Sequence, residues 1–319
     1  MKVRDIGEFN LIERIRSKVG STSKDVFKGI GDDCAVLNYD KNNFMLFTTD
    51  MVIEDVHFSL EYFSPKQIGM KAIEQNVSDI AAMGGVPKYA LVSLSVPRDM
   101  DVAFVDKLVD GIIEKSRKYK IEIVGGNVSG SDKMIVDISL IGFVEKKFLA
   151  IRKNARKGDL IFLSGSVGES ACGLELLTRK KKGKCAKRHL EPKSRIELAR
   201  ELVKAGINCM IDVSDGIISE IVHICKESKT GAIIYANKIP ISKNVIDDAK
   251  KLNRNPLDFA IYGGEDFELI FTASKKKSIK IKRFNVTEIG RVVDKKKKIK
   301  LIKDNKEIEL GQGFDHFKE

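Results

Sequence analysis

The sequence predicts an α/β protein built from two domains. The chain has 319 residues, of which 43% are hydrophobic, so it is long enough for two ordinary hydrophobic cores. Segments with the apolar spacing of helices alternate along it with short apolar runs typical of strands. A basic, polar stretch at 152–158 separates two such series. We therefore expect one domain at 1–150 and a second at 151–319.

The first series opens with a helix at 8–18, where apolar residues recur at helical spacing. Two more helices are predicted at 65–83, which stops at a glycine pair, and at 102–119. Compact or alternating apolar runs predict strands at 43–49, 89–96, 121–124 and 134–144. Asp50 and Asn127 then fall at strand ends, where ligands of α/β sheets collect.

The second series alternates in the same way. Helices are predicted at 170–179, 196–204, 216–227 and 244–252. Strands are predicted at 159–164, 208–213, 232–236, 267–272 and 286–293, followed by a hairpin at 299–308 that turns at Asp304-Asn305. The lysine-rich segment 180–188 is predicted to be an exposed loop.

The composition narrows the function classes. The formal charge is +12, but the excess lies in lysine runs without interleaved arginine or aromatic residues, which favours a solvated surface over a nucleic-acid patch. No apolar run has the length of a membrane helix, and no N-terminal run resembles a signal peptide. The five cysteines form no Cys-x-x-Cys pair. These features predict a cytoplasmic protein that binds neither membrane nor nucleic acid.

Acidic residues beside glycine or other small residues recur within apolar sequence. A buried carboxylate is costly unless it is paired, hydrogen-bonded or metal-bound, so a set of them indicates a common cation site. Any one of these acids alone would more often belong to a turn or a helix cap. Together they predict magnesium ligands at Asp33, Asp50, Asp79, Asp212 and Asp215.

Other segments predict contacts to phosphate. Gly125-Gly126 and the stretch 165–168, which precedes a predicted helix, can present backbone amides to oxygen atoms, and Arg152 can clamp a phosphate. The sequence has neither a Gly-Lys-Ser/Thr nucleotide loop nor the protein-kinase motifs. His57 is a candidate for orienting a substrate, whereas His189 and His223 are predicted to be structural. The segment 311–317 is either a packed tail or the wall of a ring-binding pocket.

These motifs resemble those of the thiamine-monophosphate kinase family over essentially the whole chain. This family belongs to a superfamily that includes aminoimidazole ribonucleotide synthetase, selenophosphate synthetase and a hydrogenase maturation enzyme. Three features narrow the resemblance to the kinases: the segment 7–12, His57 and the segment 313–317. The matching motifs are 7–12, 29–35, 48–50 with His57-Phe58, 76–84, 212–216, 263–269 and 313–317.

The resemblance implies a reaction and a fold. It implies ATP- and magnesium-dependent phosphorylation of thiamine monophosphate to thiamine diphosphate, the final step of thiamine diphosphate biosynthesis. The implied fold is the two-domain aminoimidazole ribonucleotide synthetase-like fold. Its N-terminal mixed sheet with helices dimerises through its strands, and its C-terminal α/β domain completes the active site.

The resemblance also implies roles for individual residues. Asp50, Asp79 and Asp212 would be catalytic; the pocket for thiamine monophosphate would contain His57, Glu265 and Phe314. ATP would contact Thr48, Thr49, Gly125, Gly126, Arg152 and Ser214. Several magnesium ions would be held by Asp33, Thr48, Thr49, Asp50, Asp79, Asn127, Asp212 and Asp215.

Two positions depart from the family pattern. Asn127 stands where many members have a metal-binding Asp, which removes one negative charge. Phe314 stands where relatives often have Tyr or Trp, which keeps an aromatic ring.

Two alternatives remain open. One is another ATP-dependent enzyme of the superfamily, similar to aminoimidazole ribonucleotide synthetase. The other is a basic nucleic-acid-binding protein, which would leave the acids unexplained.

Overall fold

The computed structural model describes residues 1–20, 22–277, 284–311 and 317. Two sheets and the helices packed on them form the chain, which confirms the predicted α/β class. The strands are β1 (Val26–Lys28), β2 (Ala35–Asn38), β3 (Asn43–Ile53), β4 (Val86–Val96), β5 (Glu122–Gly130), β6 (Ile135–Glu145), β7 (Leu160–Ser164), β8 (Met210–Asp212), β9 (Thr230–Tyr235), β10 (Leu269–Ala273), β11 (Val286–Asp294), β12 (Ile299–Lys303) and β13 (Lys306–Ile308).

The helices precede, separate and follow these strands. They are α1 (Val3–Val19), α2 (Pro65–Ala82), α3 (Val102–Tyr119), α4 (Glu169–Thr178), α5 (Ala186–Leu190), α6 (Ile196–Lys204), α7 (Ile217–Ser228), α8 (Lys243–Leu252) and α9 (Pro256–Tyr262). No helix within the described part of the chain is both long and apolar enough to span a membrane.

The first sheet has six strands in the order β1-β2-β3-β6-β4-β5. Its neighbours are antiparallel except β4 and β5, which are parallel because the crossover helix α3 connects them. Along β6 buried residues alternate with half-buried ones, as expected when one face of a sheet covers a core. Helices α2 and α3 pack together, and α2 lies against β3 and β6. The strand β5 is the exposed edge of this sheet.

The second sheet has seven strands in the order β13-β12-β9-β11-β7-β10-β8. Its pairs are antiparallel except β12 with β9. The predicted hairpin is confirmed: Asp304 and Asn305 both have positive φ, as the tight turn between β12 and β13 requires. Helix α7 packs against β8, β9 and β10, so the strand end at Asp212 is enclosed.

Helix α2 connects the two halves of the molecule. Ser64 caps its N-terminus by accepting a hydrogen bond from the Gln67 amide, and Pro65 occupies the first turn, where no donor is lost. Its end is fixed by Gly84, whose φ is 73° and where a Cβ would lie 2.7 Å from a Val203 methyl group. Besides β3 and β6, α2 contacts α6 and β8.

Several predicted boundaries were wrong. Asp50 and Asn127 lie inside β3 and β5, because pairing with β6 and β4 carries these strands past the polar residues. Gly125-Gly126 is therefore part of a strand; a Cβ at Gly126 would lie 1.8 Å from the Val92 carbonyl oxygen. Helix α5 occupies the end of the predicted loop 180–188, and α9, β1 and β2 were not predicted.

Candidate active site

Three carboxylates converge where α2 meets both sheets. Asp33 comes from the loop between β1 and β2, Asp79 from the last turn of α2, and Asp212 from the end of β8. One carboxylate oxygen from each lies within 4.8 Å of the other two. Residues 179 positions apart in sequence thus form one acidic cluster, which we call the three-acid cluster.

Within the described residues, each member of the three-acid cluster accepts a hydrogen bond from one side chain. The Thr48 hydroxyl donates to Asp79 at 2.5 Å, and the Ser78 hydroxyl donates to Asp212 at 2.6 Å. The Arg152 guanidinium donates to Oδ1 of Asp33 at 2.6 Å. The other oxygen of Asp33, Oδ2, is buried and has no hydrogen-bond partner among the described residues. A buried acceptor in that state is costly unless a cation or another donor reaches it.

The electrostatics of the cluster also favour a bound cation. Burial and the neighbouring charge of Asp33 raise the pKa of Asp212 to about 8. Burial, followed by the charges of Asp50 and Asp212, raises the pKa of Asp79 well above its ordinary value. The negative charge therefore exceeds what Arg152 neutralises. Hard oxygen ligands of this kind suit Mg²⁺, so the residues fit that ion.

Asp50 and Asp215 lie at the border of the cluster. Asp50 is on the same face of β3 as Thr48, and its backbone N–H donates to the Asn76 side chain of α2 at 3.1 Å. Burial raises the pKa of Asp50 to about 7, and the charge of Asp215 contributes. The backbone N–H of Asp215 donates to Glu220 at 2.8 Å, which fixes the loop before α7.

Arg152 and Ser214, both predicted to contact ATP, lie beside these acids. Besides Asp33, Arg152 binds Asp32, to whose carboxylate its backbone N–H donates at 3.3 Å. The Ser214 hydroxyl is 3.4 Å from Glu220. The Nε atom of Arg152 is buried, and no residue in the described part of the chain forms a hydrogen bond with it. This guanidinium therefore retains a donor for a further acceptor.

The structure does not bring Thr49 to the three-acid cluster. Successive residues of a strand face opposite sides, and Thr49 lies on the outer face of β3, where its hydroxyl donates to Asp137 at 3.0 Å. Thr48, by contrast, is 7% exposed and lies among the acids. Of the two predicted threonines, only Thr48 contacts the cluster.

Asn127, Gly125 and Gly126 lie farther away, on β5. Asn127 pairs with Ser93, Ser93 with Asp137, and Asp137 with Met51, so three strand spacings, about 14 Å, separate Asn127 from β3. The amide of Asn127 therefore cannot share an ion with Asp50. These β5 residues border a separate groove of about 570 Å³ between β5 and α3. Its lining is mainly apolar: Val92, Leu94, Val109, Ile112, Ile123, Gly125, Gly126, Asn127 and Val128.

The predicted substrate residues His57 and Glu265 are brought together by Lys71 of α2. The Lys71 ammonium donates to the His57 carbonyl oxygen at 2.7 Å and lies 2.6 Å from Oε1 of Glu265. Nδ1 of His57 accepts the backbone N–H of Ile53 at 3.1 Å, which fixes the ring. Burial raises the pKa of Glu265, but the charge and hydrogen bond of Lys71 act together with the neighbouring histidines to keep that pKa below its ordinary value. Phe314 lies outside the described residues, so its predicted role is not addressed by the structure.

The prediction of a phosphate site at 165–168 was wrong, because a side chain of the protein occupies the amides at the start of α4. The amides of Gly168 and Ser170 at the start of α4 both donate to the carboxylate of Asp266, which is fully buried. A carboxylate of the chain itself thus occupies the position predicted for a phosphate. This contact anchors the segment that follows Glu265.

The two histidines predicted to be structural differ in their surroundings. The His223 ring packs against Phe9, with 4.8 Å between centroids, as expected for a structural residue. Nδ1 of His189 is instead 3.3 Å from Oε2 of Glu265 and 3.1 Å from the Ser170 hydroxyl. His189 therefore borders the predicted substrate residues.

Sequence reasoning missed several contributors to the site. Asp32 and Ser78 are adjacent to the predicted ligands Asp33 and Asp79 in the family motifs, so their position in these motifs was the available signal. Lys71 and Glu220 had no such signal, because a Lys or Glu in an amphipathic helix is usually a solvated residue. In total, five residues of the site were not predicted: Asp32, Lys71, Ser78, His189 and Glu220.

Comparison with protein families identifies both halves of the chain. Residues 31–144 match the model of the AIR synthase related protein N-terminal domain, and residues 156–302 match the model of the C-terminal domain. Together these matches cover most of the sequence.

Individual relatives are similar over almost the full length. The thiamine-monophosphate kinase of Aquifex aeolicus (strain VF5) is 37% identical, with 99% of this chain and 100% of the relative covered. That of Bacillus subtilis (strain 168) is 36% identical, with 98% and 99% covered. A solved structure of AaThiL complexed with AMPPCP and TMP has a TM-score of 0.87 at 36% identity and covers 99% of both chains.

Proposed function

This chain belongs to the thiamine-monophosphate kinase family of AIR synthase-related proteins, and we propose that it transfers the γ-phosphoryl group of ATP to thiamine monophosphate. The products are thiamine diphosphate and ADP, so the reaction is the final step of thiamine diphosphate biosynthesis. The observation that carries the proposal is the three-acid cluster, in which one Asp33 oxygen has no partner among the described residues, in a chain similar to these kinases from end to end.

Magnesium is the metal that suits this site. Asp33, Asp79 and Asp212 would hold it, with Asp50 and Asp215 at the border of the cluster and Thr48 fixing Asp79. When bound, the ion neutralises phosphate charge and orients the phosphate oxygens. We keep Asn127 as a ligand only for a separate ion near β5, because of its distance from β3. Thr49 contributes through its backbone or not at all, since its side chain binds Asp137.

The proposed transfer is direct and in line. An oxygen of the substrate phosphate attacks the γ-phosphorus, a new P–O bond forms, and the bond to the β,γ-bridging oxygen breaks as ADP leaves with the electron pair. Such transfers depend mainly on positioning and charge stabilisation. The substrate phosphate has its second pKa near about 6, so it is already ionised at neutral pH and no general base is required. Arg152 and Ser214 hold the ATP phosphates, and Gly125 and Gly126 line the groove available to the rest of ATP.

His57, Glu265 and Phe314 form the proposed thiamine pocket. Glu265 is ionised, and a carboxylate attracts a cationic thiazolium. The side chain of Glu265 remains 26% exposed, so it is accessible to a substrate. The Phe314 ring is proposed to lie against the substrate rings.

We also propose the molecular organisation that the sequence predicted, with domains at 1–150 and 151–319 and a cytoplasmic location, and the homodimer through strands of the first sheet that the family resemblance implies. The dimer is supported by the edge strand β5, whose outer side pairs with no strand of the described residues, and by exposed apolar side chains on this sheet. Five buried, unbridged cysteines are consistent with a reducing compartment.

A single incubation tests the activity. Purified protein is mixed with ATP, MgCl₂ and thiamine monophosphate, and the products are identified by mass. We expect thiamine diphosphate and ADP in equal amounts, and sequential initial-rate kinetics. Parallel double-reciprocal plots together with a phosphorylated enzyme would contradict direct transfer. ATP turnover without thiamine diphosphate would instead favour another enzyme of the superfamily, and salt-dependent duplex binding without turnover would favour a nucleic-acid-binding protein.

A further inference from the structure

Lys71 is the most deeply buried lysine of the described residues, with 1% exposure, and it lies between the two predicted substrate residues. We propose that Lys71 is a positioning residue for thiamine monophosphate: it holds the Glu265 carboxylate and the His57 segment in the arrangement that binds the substrate. This inference rests on the proposed kinase function.

The Lys71 ammonium has three partners: a carbonyl oxygen, a carboxylate and an aromatic ring. It donates to the His57 carbonyl oxygen at 2.7 Å and pairs with Oε1 of Glu265 at 2.6 Å. Its Nζ atom also lies 5.3 Å from the centroid of the Phe63 ring. An ammonium is desolvated at such a site only where specific partners offset the loss of water. These partners come from two separate parts of the chain, the loop after β3 and the segment before β10.

The Glu265 backbone is in a conformation that depends on its surroundings. Its φ is 61°, in the left-handed region that non-glycine residues rarely adopt. The Glu265 backbone N–H donates to the Ser214 carbonyl oxygen at 2.8 Å, and that of Phe267 donates to Val213 at 2.9 Å. The backbone is thereby tied to the loop next to Asp212, but these bonds do not select the side-chain rotamer. Lys71 selects it by binding Oε1.

The second oxygen of Glu265 faces a weaker partner. Oε2 lies 3.3 Å from Nδ1 of His189, whose pKa is lowered to about 4 by burial and by the charge of Lys71, so the ring is neutral. Lys71 is thus the cation that fixes this carboxylate. Because Lys71 itself is enclosed, it acts on a substrate only through Glu265 and the His57 segment. Losing it should therefore impair binding of thiamine monophosphate more than binding of ATP.

The test compares Lys71→Met with a matched control, Lys115→Met. Lys115 also forms a buried ion pair at 2.6 Å, with Glu74, but that pair lies between α2 and α3. We expect Lys71→Met to raise the KM for thiamine monophosphate by about 10-fold or more, with the KM for ATP changed by less than about 2-fold. Lys115→Met should lower the melting temperature while leaving both KM values within about 2-fold.

A double mutant distinguishes positioning from a general loss of structure. In Glu265→Gln the partner of Lys71 is already neutral, so adding Lys71→Met should raise KM by much less than it does in the wild type. Calorimetric titration with thiamine monophosphate should report the same pattern. Should Lys71→Met not fold, Lys71→Gln, which retains a donor for the His57 carbonyl oxygen, is judged by the same criteria.

Unchanged KM for thiamine monophosphate in the Lys71 variant would overturn the inference while leaving the kinase function intact. Equal increases for both substrates, or equal effects of the Lys71 and Lys115 variants, would also overturn it. A wild-type protein that forms no thiamine diphosphate would overturn the proposed function and this inference together.

Discussion

At the residue scale, Asp79 illustrates how an acid is held in a costly position. It lies at the end of α2, accepts a hydrogen bond from Thr48, and shares its surroundings with Asp33 and Asp212. Burial and these neighbours favour its protonated form, so the metal-free site resists full ionisation. A site arranged in this way binds cations because their charge relieves the repulsion.

Replacing Asp79 or Asp50 with Asn should abolish most of the turnover without unfolding the chain. Each change removes a charge from the acidic site, and we expect kcat/KM to fall by about 100-fold or more. The control is Lys296→Ala, on the exposed turn before β12, which should change the rate little. Near-normal rates in both Asp variants, with circular dichroism showing a folded protein, would refute the shared site.

The stability of the metal-free protein should increase as the pH falls from about 8 to about 7. The pKa values of Asp212 and Asp50 are raised to about 8 and about 7, so the folded state takes up protons there that the unfolded state does not. Buried His189 and His223 oppose this only at lower pH, because their pKa values fall to about 4 and about 3 from an ordinary 6.5. Thermal unfolding in EDTA measures the effect.

Added Mg²⁺ provides the control for this pH dependence. It should stabilise the protein more at about pH 8, where fewer protons compete for the carboxylates, than at about pH 7. A melting temperature in EDTA that is flat or rises between about pH 7 and 8 would contradict the assignment of raised pKa values to these acids.

At the element scale, the first sheet separates two parts of the proposed ATP site. The acids lie at β3, and the groove lies beside β5, with β6 and β4 between them. The parallel pairing of β4 and β5 brings Gly126 so close to Val92 that only a glycine fits. The strand β5 therefore depends on this residue both for its pairing and for the shape of the groove.

Gly126→Ala tests this role of β5. The added Cβ would lie 1.8 Å from the Val92 carbonyl oxygen, so the strand must shift, and we expect the KM for ATP to increase by about 10-fold or more. Gly130→Ala, in the same strand, is the matched control because its Cβ would have no atom of the described residues within 4 Å. Equal ATP kinetics in the two variants would show that the groove does not contact ATP.

At the scale of the whole molecule, the first sheet leaves an apolar surface uncovered in the single chain. Val128 is 75% exposed and Val124 is 58% exposed on the edge strand, and Leu91 of β4 and Met51 of β3 are also exposed. Several exposed apolar side chains on one sheet are typical of an interface between proteins. The proposed homodimer would cover it.

The variant Val124→Lys/Val128→Lys should therefore be monomeric. Two desolvated charges would be costly at an interface, whereas they are solvated on a monomer. Light scattering after gel filtration measures the mass, with wild-type protein expected at twice the chain mass of 35.6 kDa. The control Val102→Lys changes an equally exposed valine at the start of α3 and should stay dimeric. A monomeric wild-type protein would contradict the proposal.

The sequence by itself determined the fold class, most helices and strands, and three acids that meet in one cluster. Apolar periodicity reports which face of an element is buried, so α3 and α6 were predicted at their observed bounds. Asp33, Asp79 and Asp212 were recognisable because acids beside small residues in apolar sequence are unusual. Apolar periodicity and acids beside small residues are both properties of neighbouring positions in the chain, so the sequence alone reports them.

Only the tertiary structure decided which side chains share a space. Strand pairing extended β3 and β5 past their polar residues, directed Thr49 to the outer face and placed Asn127 three strand spacings, about 14 Å, from β3. Packing of α2 between the sheets buried Lys71 against Glu265, 194 positions along the chain. The physical reason is that register and helix packing are non-local: they are fixed by partners distant in sequence, and no spacing within one segment reports them.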